Sequence, residues 1–201
     1  DSEGLVLNEK RIKWRIYRPG MVVGHSQTGE MDKIDGPYYF FSFIKKLREM
    51  LPQWMPTLGI EGGRINVVPV DFVVEAMDHI AHKPKLDHHT FHLTDPEPMR
   101  VGEVLNTFAR AGHAPEMTMR IDARMFAFVP GGVRSAVGNL PPVRRFVGML
   151  LRDFRIPKET LKFITYPTRF DNREAERALK GSGIQVPKLD TYAWRLWDYW
   201  E

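Results

Sequence analysis

Apolar and polar positions alternate from Trp14 through Ile16 and Tyr17, run into Pro19-Gly20, and give way to a second apolar run, Met21 to Val23. Alternation with β-branched and aromatic residues before Pro-Gly predicts a buried strand ending in a loop. Phe40, Phe43, Ile44, Leu47 and Leu51 then recur at helical spacing and stop at Pro52, which predicts a helix of about three turns. A turn-rich stretch, Pro56 to Gly63, follows. Ile65, Val67 and Val68 predict a short strand that meets Pro69. Asp71 stands where an N-cap is expected, ahead of a helical stripe of Val73, Val74, Met77, Ile80 and Ala81.

Thr90 to Leu93 reads as a further strand, and the Asp95-Pro96-Glu97-Pro98 turn leads to a helix carrying Val101, Val104, Leu105 and Phe108 on one side, closed by Gly112. Strands and helices alternate, so the fold class is α/β, with helices packed on a layered sheet. The second half, residues 116–201, is mainly helical in pattern, broken by Pro130-Gly131-Gly132, Pro141-Pro142, Pro157 and Pro167. Asp171 with Glu174 predicts a capping box before Ala175, Ala178 and Leu179, and Gly181 ends that helix. Ala193, Leu196, Trp197 and Trp200 share one face of a last helix, capped by Asp190 or Thr191. A helix bearing three tryptophans is expected to dock rather than face water.

Composition narrows the chemistry. The 201 residues contain no cysteine, which removes disulfides, zinc ribbons, iron–sulfur clusters and thiol nucleophiles together. No apolar run approaches the ~18 residues of a membrane span, and Asp1 to Gly4 lacks the basic and apolar regions of a signal peptide, so the expected location is cytoplasmic. Between Arg120 and Arg155 seven arginines face two aspartates, a local charge of +5 in a chain of formal net charge +4. Such an excess suits an acidic partner, an anionic cofactor or lipid headgroups, or is a solvated face. No nucleic-acid motif accompanies it.

Candidate chemistry is sparse. Five histidines lie between His79 and His92, and His79 with His82 share a helical face, but no metalloprotease glutamate separates them and no metal site is assigned. Ser26 and Thr28 lack a Gly-x-Ser-x-Gly elbow. Asp95 and Glu97 sit among prolines and suit a turn better than acid–base work. Neither Gly59 to Gly63 nor Gly131-Gly132 has dinucleotide-fingerprint spacing, and no Tyr-x-x-x-Lys occurs.

Three landmarks nevertheless recur in order: Tyr17-Arg18-Pro19-Gly20-Met21-Val22-Val23-Gly24, then Arg64 to Val74 (Arg-Ile-Asn-Val-Val-Pro-Val-Asp-Phe-Val-Val), then Phe91-His92-Leu93-Thr94. Together they resemble the C-terminal half of extended short-chain dehydrogenases/reductases. Pro167 to Asp171 and Trp197 to Trp200 are similar to the ends of reductase domains in the fatty acyl-CoA reductase and thioester reductase branch. The resemblance covers nearly the whole chain. It implies a Rossmann-type reductase using NADPH, whose Gly-x-x-Gly-x-x-Gly turn and Tyr-x-x-x-Lys pair both precede the Arg-Pro-Gly strand. Gly4 to Lys13 would be the tail of the helix carrying the Tyr and Lys.

On that resemblance, residues 1–115 are the C-terminal portion of the Rossmann-like domain and 116–201 a mainly helical substrate-binding subdomain. The chain would be the substrate-binding half of a longer oxidoreductase that reduces fatty acyl thioesters, carried on CoA or an acyl carrier, by hydride transfer, and would be inactive alone. Its partners would be that thioester, the upstream half of the same protein, a membrane surface touched peripherally, or a second copy. Pro19, Gly20, Met21 and Val22 would lie against the nicotinamide; otherwise Pro-Gly merely turns the chain. Tyr38 and Tyr39 would line the acyl path, or anchor the next helix. Arg64 would face substrate or cap a strand end. Arg144 and Arg145 would meet phosphates or carrier acids beside an apolar stripe of Val143, Phe146, Val147, Leu150 and Leu151, or that stripe packs in a core. An extended reductase of a sugar nucleotide or sterol, and an NmrA-like binding protein without catalysis, share the scaffold.

Overall fold

The computed structural model describes residues 2–33, 36–122 and 169–201. Helix α1 (Ser2–Asn8) precedes strands β1 (Arg15–Pro19) and β2 (Met21–Val23), then helix α2 (Tyr39–Met50). Strands β3 (Thr57–Glu61), β4 (Arg64–Ile65) and β5 (Val67–Pro69) follow, leading to helix α3 (Val70–His82). Strands β6 (His89–Leu93) and β7 (Met99–Arg100), helix α4 (Val101–Ala111) and strand β8 (Met117–Asp122) complete this part, and helices α5 (Arg173–Leu179) and α6 (Ala193–Trp200) end the chain.

Pairing is mostly parallel, as the alternating pattern requires. The run 15–23 changes partner at Gly20: β1 pairs with β6 and β2 with β5, both parallel. β3 pairs in parallel with β8, and β4 pairs antiparallel with β7. One core lies between α2, α4 and α6, where the ring of Phe41 stands 4.8 Å from that of Phe108 and 5.1 Å from that of Trp197. The last helix therefore docks, with Leu196 and Trp197 buried. A second core joins α3 and β6 to α5 through Val68, Phe72, Ile80, Phe91 and Ala175.

Several local expectations are corrected. The turn-rich stretch holds β3, because Gly59 is a strand residue: a Cβ there would come within 2.4–2.7 Å of the Met117 side chain on β8. Strand β8 itself falls in the segment expected to be mainly helical. On α3 the buried stripe is Phe72, Val73, Ala76 and Ile80, whereas Val74 and Met77 face outward. The helix starts at Val70 behind Pro69, so Asp71 lies inside its first turn and is not its cap. Nor do Asp171 and Glu174 form a capping box: Asn172 is the N-cap, its side chain makes no capping bond, and Asp171 binds Arg173 instead. Tyr192, rather than Asp190 or Thr191, precedes α6. The box that does form is at α4, where the Glu103 carboxylate accepts the Arg100 backbone N–H at 2.7 Å.

Candidate functional site

The carboxyl ends of β1 and β6 meet the amino ends of β2 and β5 within one run of chain. Gly20 sits at the crossing. Its N–H donates to the Leu93 carbonyl at 3.0 Å, and the Met21 N–H donates to the Asn66 carbonyl at 2.7 Å. A Cβ on Gly20 would lie 2.8 Å from that carbonyl oxygen and 2.9 Å from Asn66 Oδ1, so only glycine permits this approach. Pro19 and Val22 are exposed, Gly20 and Met21 half-buried.

Asn66 extends the same junction. Interrupting β4 and β5, it donates from Nδ2 to the Asp95 carbonyl at 2.8 Å and accepts the Asp95 N–H at Oδ1 at 2.7 Å. Asp95 also accepts the Glu97 N–H, confirming a turn, and burial pushes its carboxyl up. Beyond this turn a cavity of about 730 Å³ opens between Thr94, Asp95 and Glu97 on one side and Glu176, Lys188 and Asp190 on the other. Leu93 lines it, and the Leu93 carbonyl holds Gly20, so the cavity and the Pro19–Val22 run meet across one residue.

The loop after β2 is braced from several sides. Asp71 Oδ1 accepts the Ser26 N–H at 2.9 Å and Oδ2 accepts the Ser26 hydroxyl at 2.5 Å. Burial alone would push the Asp71 carboxyl up, but these bonds outweigh it and hold the group below the usual carboxylate range. The Gly24 N–H donates to the Tyr38 hydroxyl at 2.6 Å. Arg195 on α6 donates to the Ser26 carbonyl at 3.4 Å. Gly29, at φ +77°, passes so close to the Arg195 carbonyl that a Cβ could not fit. Tyr192 is buried without a hydrogen-bond partner for its hydroxyl among the described residues; burial first, then Tyr38, Asp71 and Asp95, push its pKa up.

The structure thus gathers Pro19, Gly20, Met21 and Val22 at one strand junction. Tyr38 is fully buried with its hydroxyl on Gly24, while Tyr39 is half-buried on α2. Arg64 is exposed and donates to the Pro98 carbonyl at 2.7 Å, bracing the turn before β7. Arg144 and Arg145, their apolar stripe and most of the basic segment lie outside the described residues. The histidines disperse: His82 bonds the Asp78 carbonyl, His88 packs edge-on to Trp14, and His92 bonds the Asp171 carbonyl. Sequence reasoning missed the Ser26–Asp71 pair and the role of Asn66. Pro69, itself a helix-start signal, already pointed to Asp71 lying inside α3.

Known proteins give this geometry a context. Residues 2–77 match the family model described as Male sterility protein, an NAD-binding family. The chain is 36% identical over 183 residues to the non-canonical nonribosomal peptide synthetase FrzA of Cladobotryum sp., a match covering 88% of this chain and 16% of that protein. It is 32% identical over 117 residues to the glycine betaine reductase ATRR of Emericella nidulans, covering 57% of this chain and 9% of ATRR. The terminal R domain from the myxalamid PKS-NRPS biosynthetic pathway shares the fold with a TM-score of 0.60 at 22% identity, covering 98% of this chain and 46% of that domain. The chain spans less than a fifth of the length of these curated relatives.

Proposed function

For this chain, which belongs to the extended short-chain dehydrogenases/reductases and has a Rossmann-type α/β fold, we propose the role of the nicotinamide- and substrate-facing half of an NADPH-dependent reductase of acyl thioesters. The observation that carries this reading is the junction at Gly20. A run from the end of β1 to the start of β2, exposed at Pro19 and Val22 and anchored through its own N–H groups to Leu93 and Asn66, suits the flat face and carboxamide of a nicotinamide. For the remainder of the dinucleotide, the sequence contains no Gly-x-x-Gly-x-x-Gly turn and no Tyr-x-x-x-Lys pair. Diphosphate binding and proton donation belong, in this reading, to other parts of the parent polypeptide.

A nicotinamide held against Pro19, Gly20, Met21 and Val22 would supply the hydride that converts a thioester, with a proton for the departing thiol, into an aldehyde and free thiol. The chain's own residues orient and exclude. Pro19 to Val22 fix the ring edge, the braced 24–30 loop walls the site, and the half-buried Tyr39 ring offers apolar surface to an acyl chain. Arg144 and Arg145 draw in the anionic end of the thioester carrier, CoA phosphate or carrier-protein carboxylate. The relatives named as a peptide synthetase and a reductase support a thioester carried on a larger protein.

Two measurements test this. The isolated 201-residue chain should bind NADPH no tighter than about millimolar, roughly −4 kcal/mol, because the diphosphate turn is lacking; micromolar binding by calorimetry would refute the division of labour. In the full-length parent, Arg144→Glu with Arg145→Glu should raise the KM for acyl-CoA, by less at high salt, and leave kcat near normal. A salt-independent loss of turnover would show that this segment is structural.

A further inference from the structure

We propose that Asp71, acting through Ser26, is a positioning residue that fixes the Gly20–Val22 backbone against the nicotinamide. The inference rests on the functional reading above and names the device that makes the backbone there rigid.

The pairing of β2 with β5 is only three residues long, Met21 with Val67, Val22 with Val68 and Val23 with Pro69. A parallel ladder this short is weak. Left alone it would fray from the Val23 end, tilting the Val22 edge that faces outward. The structure brackets it at both ends. At the start, the Met21 N–H is held by the Asn66 carbonyl. At the finish, three residues past Val23, Ser26 gives both its backbone N–H and its hydroxyl to the Asp71 carboxylate, which stands two residues past Pro69 on the first turn of α3. The two strand exits are therefore tied by a two-point bond.

Ser26 is 2% exposed, so water does not compete for its hydroxyl. The other braces of the loop, Tyr38 on Gly24 and Arg195 on the Ser26 carbonyl, come from α6 and the turn before α2. The Ser26–Asp71 pair couples the loop to the start of α3, directly after the strand beside the proposed ring site. Asp71 touches no reacting atom in this arrangement. Its effect passes through backbone geometry.

The experiment uses the full-length parent and compares Asp71→Ala, Ser26→Ala and Ser26→Thr, reading wild type first. Expected for Asp71→Ala is a fall in kcat of about tenfold, the rate equivalent of roughly 1.4 kcal/mol. Ser26→Ala, which keeps the backbone bond, should lose about threefold, and Ser26→Thr, which keeps both bonds, should stay within about twofold of wild type. NADPH affinity should change less than about threefold, since the diphosphate is held elsewhere. Transfer of deuterium from stereospecifically labelled NADPD should leak from the wrong face in Asp71→Ala and return to fidelity in Ser26→Thr. A structural brace alone would lower the melting temperature of both alanine variants while kcat and facial fidelity of the folded protein stayed at wild-type values, and that result overturns the proposal. Should Asp71→Ala fail to fold, the contrast between Ser26→Ala and Ser26→Thr decides on the same criteria. A wild-type parent that transfers no hydride to any thioester overturns the functional reading, and this inference with it.

Discussion

Gly112, at the end of α4, offers a test in which two physical effects have opposite signs. Its backbone, φ −86° and ψ 7°, is open to any L residue. On conformational entropy alone Gly112→Ala should stabilise the fold by about 0.4–1 kcal/mol. The packing says otherwise. An added Cβ would lie 2.7 Å from Trp197 Cζ2 and 2.8 Å from Cε2 and Cη2, against a rigid ring rather than a flexible tip. The indole cannot retreat: it is 1% exposed, its centroid is 5.1 Å from Phe41 and 5.3 Å from Trp200, and its N–H donates to Glu201 at 3.0 Å. Overpacking of this kind costs about 1–3 kcal/mol, so the net change should be destabilising by roughly 1–2 kcal/mol. Urea unfolding followed by circular dichroism should show a lower midpoint at unchanged slope. Repeating the substitution on a Trp197→Leu background removes the obstacle, and there the alanine should become neutral or stabilising, a coupling that only contacting residues show. A Gly112→Ala protein as stable as wild type would refute the reasoning, because it would mean that α6 does not press on the end of α4.

Asn66→Ala removes both bonds to the Asp95 main chain and should destabilise by about 1–3 kcal/mol in thermal or urea melts, because the carbonyl and N–H of Asp95 lose their partner in a half-buried turn; an unchanged midpoint would show that the turn is held by its prolines. Asp71 adds a pH signature. Its folded pKa is depressed below 3.8, so its contribution is complete above that value and is lost as pH falls through the folded value. The stability difference between wild type and Asp71→Ala should therefore be constant near neutrality and shrink in acid, and a difference that grows as pH falls would contradict the assigned bonds.

Periodicity made the α/β pattern legible because each strand or helix buries a recognisable face, and Phe91, Leu93, Phe108 and Trp197 are core residues as that logic demands. It failed where two backbones approach closely. Gly59 looks like turn punctuation until β8 lies against it, since nothing local in Thr57 to Gly63 reports a partner about sixty residues away. The rotation of α3 has the same origin. Val74 and Met77 satisfy the helical spacing as well as Phe72 and Ala76 do, and only the position of β6 and α5 selects between the two stripes.

The site divides along the same line. Pro19 to Val22 could be put forward from the sequence because their pattern is local: a proline, a glycine and an apolar strand in one string. Asp71 was visible only as an acid near a helix start, where a cap is the ordinary explanation. What it binds is Ser26, forty-five residues earlier, and the pairing exists because β2 and β5 run side by side and leave their exits together. A parallel sheet brings distant loops to one edge, so polar side chains from well-separated positions meet there without any motif recording it. Site residues of this kind become legible only once strand order is known, which is why Ser26, Asn66 and Asp71 entered through the fold whereas Gly20 could be named from its neighbours.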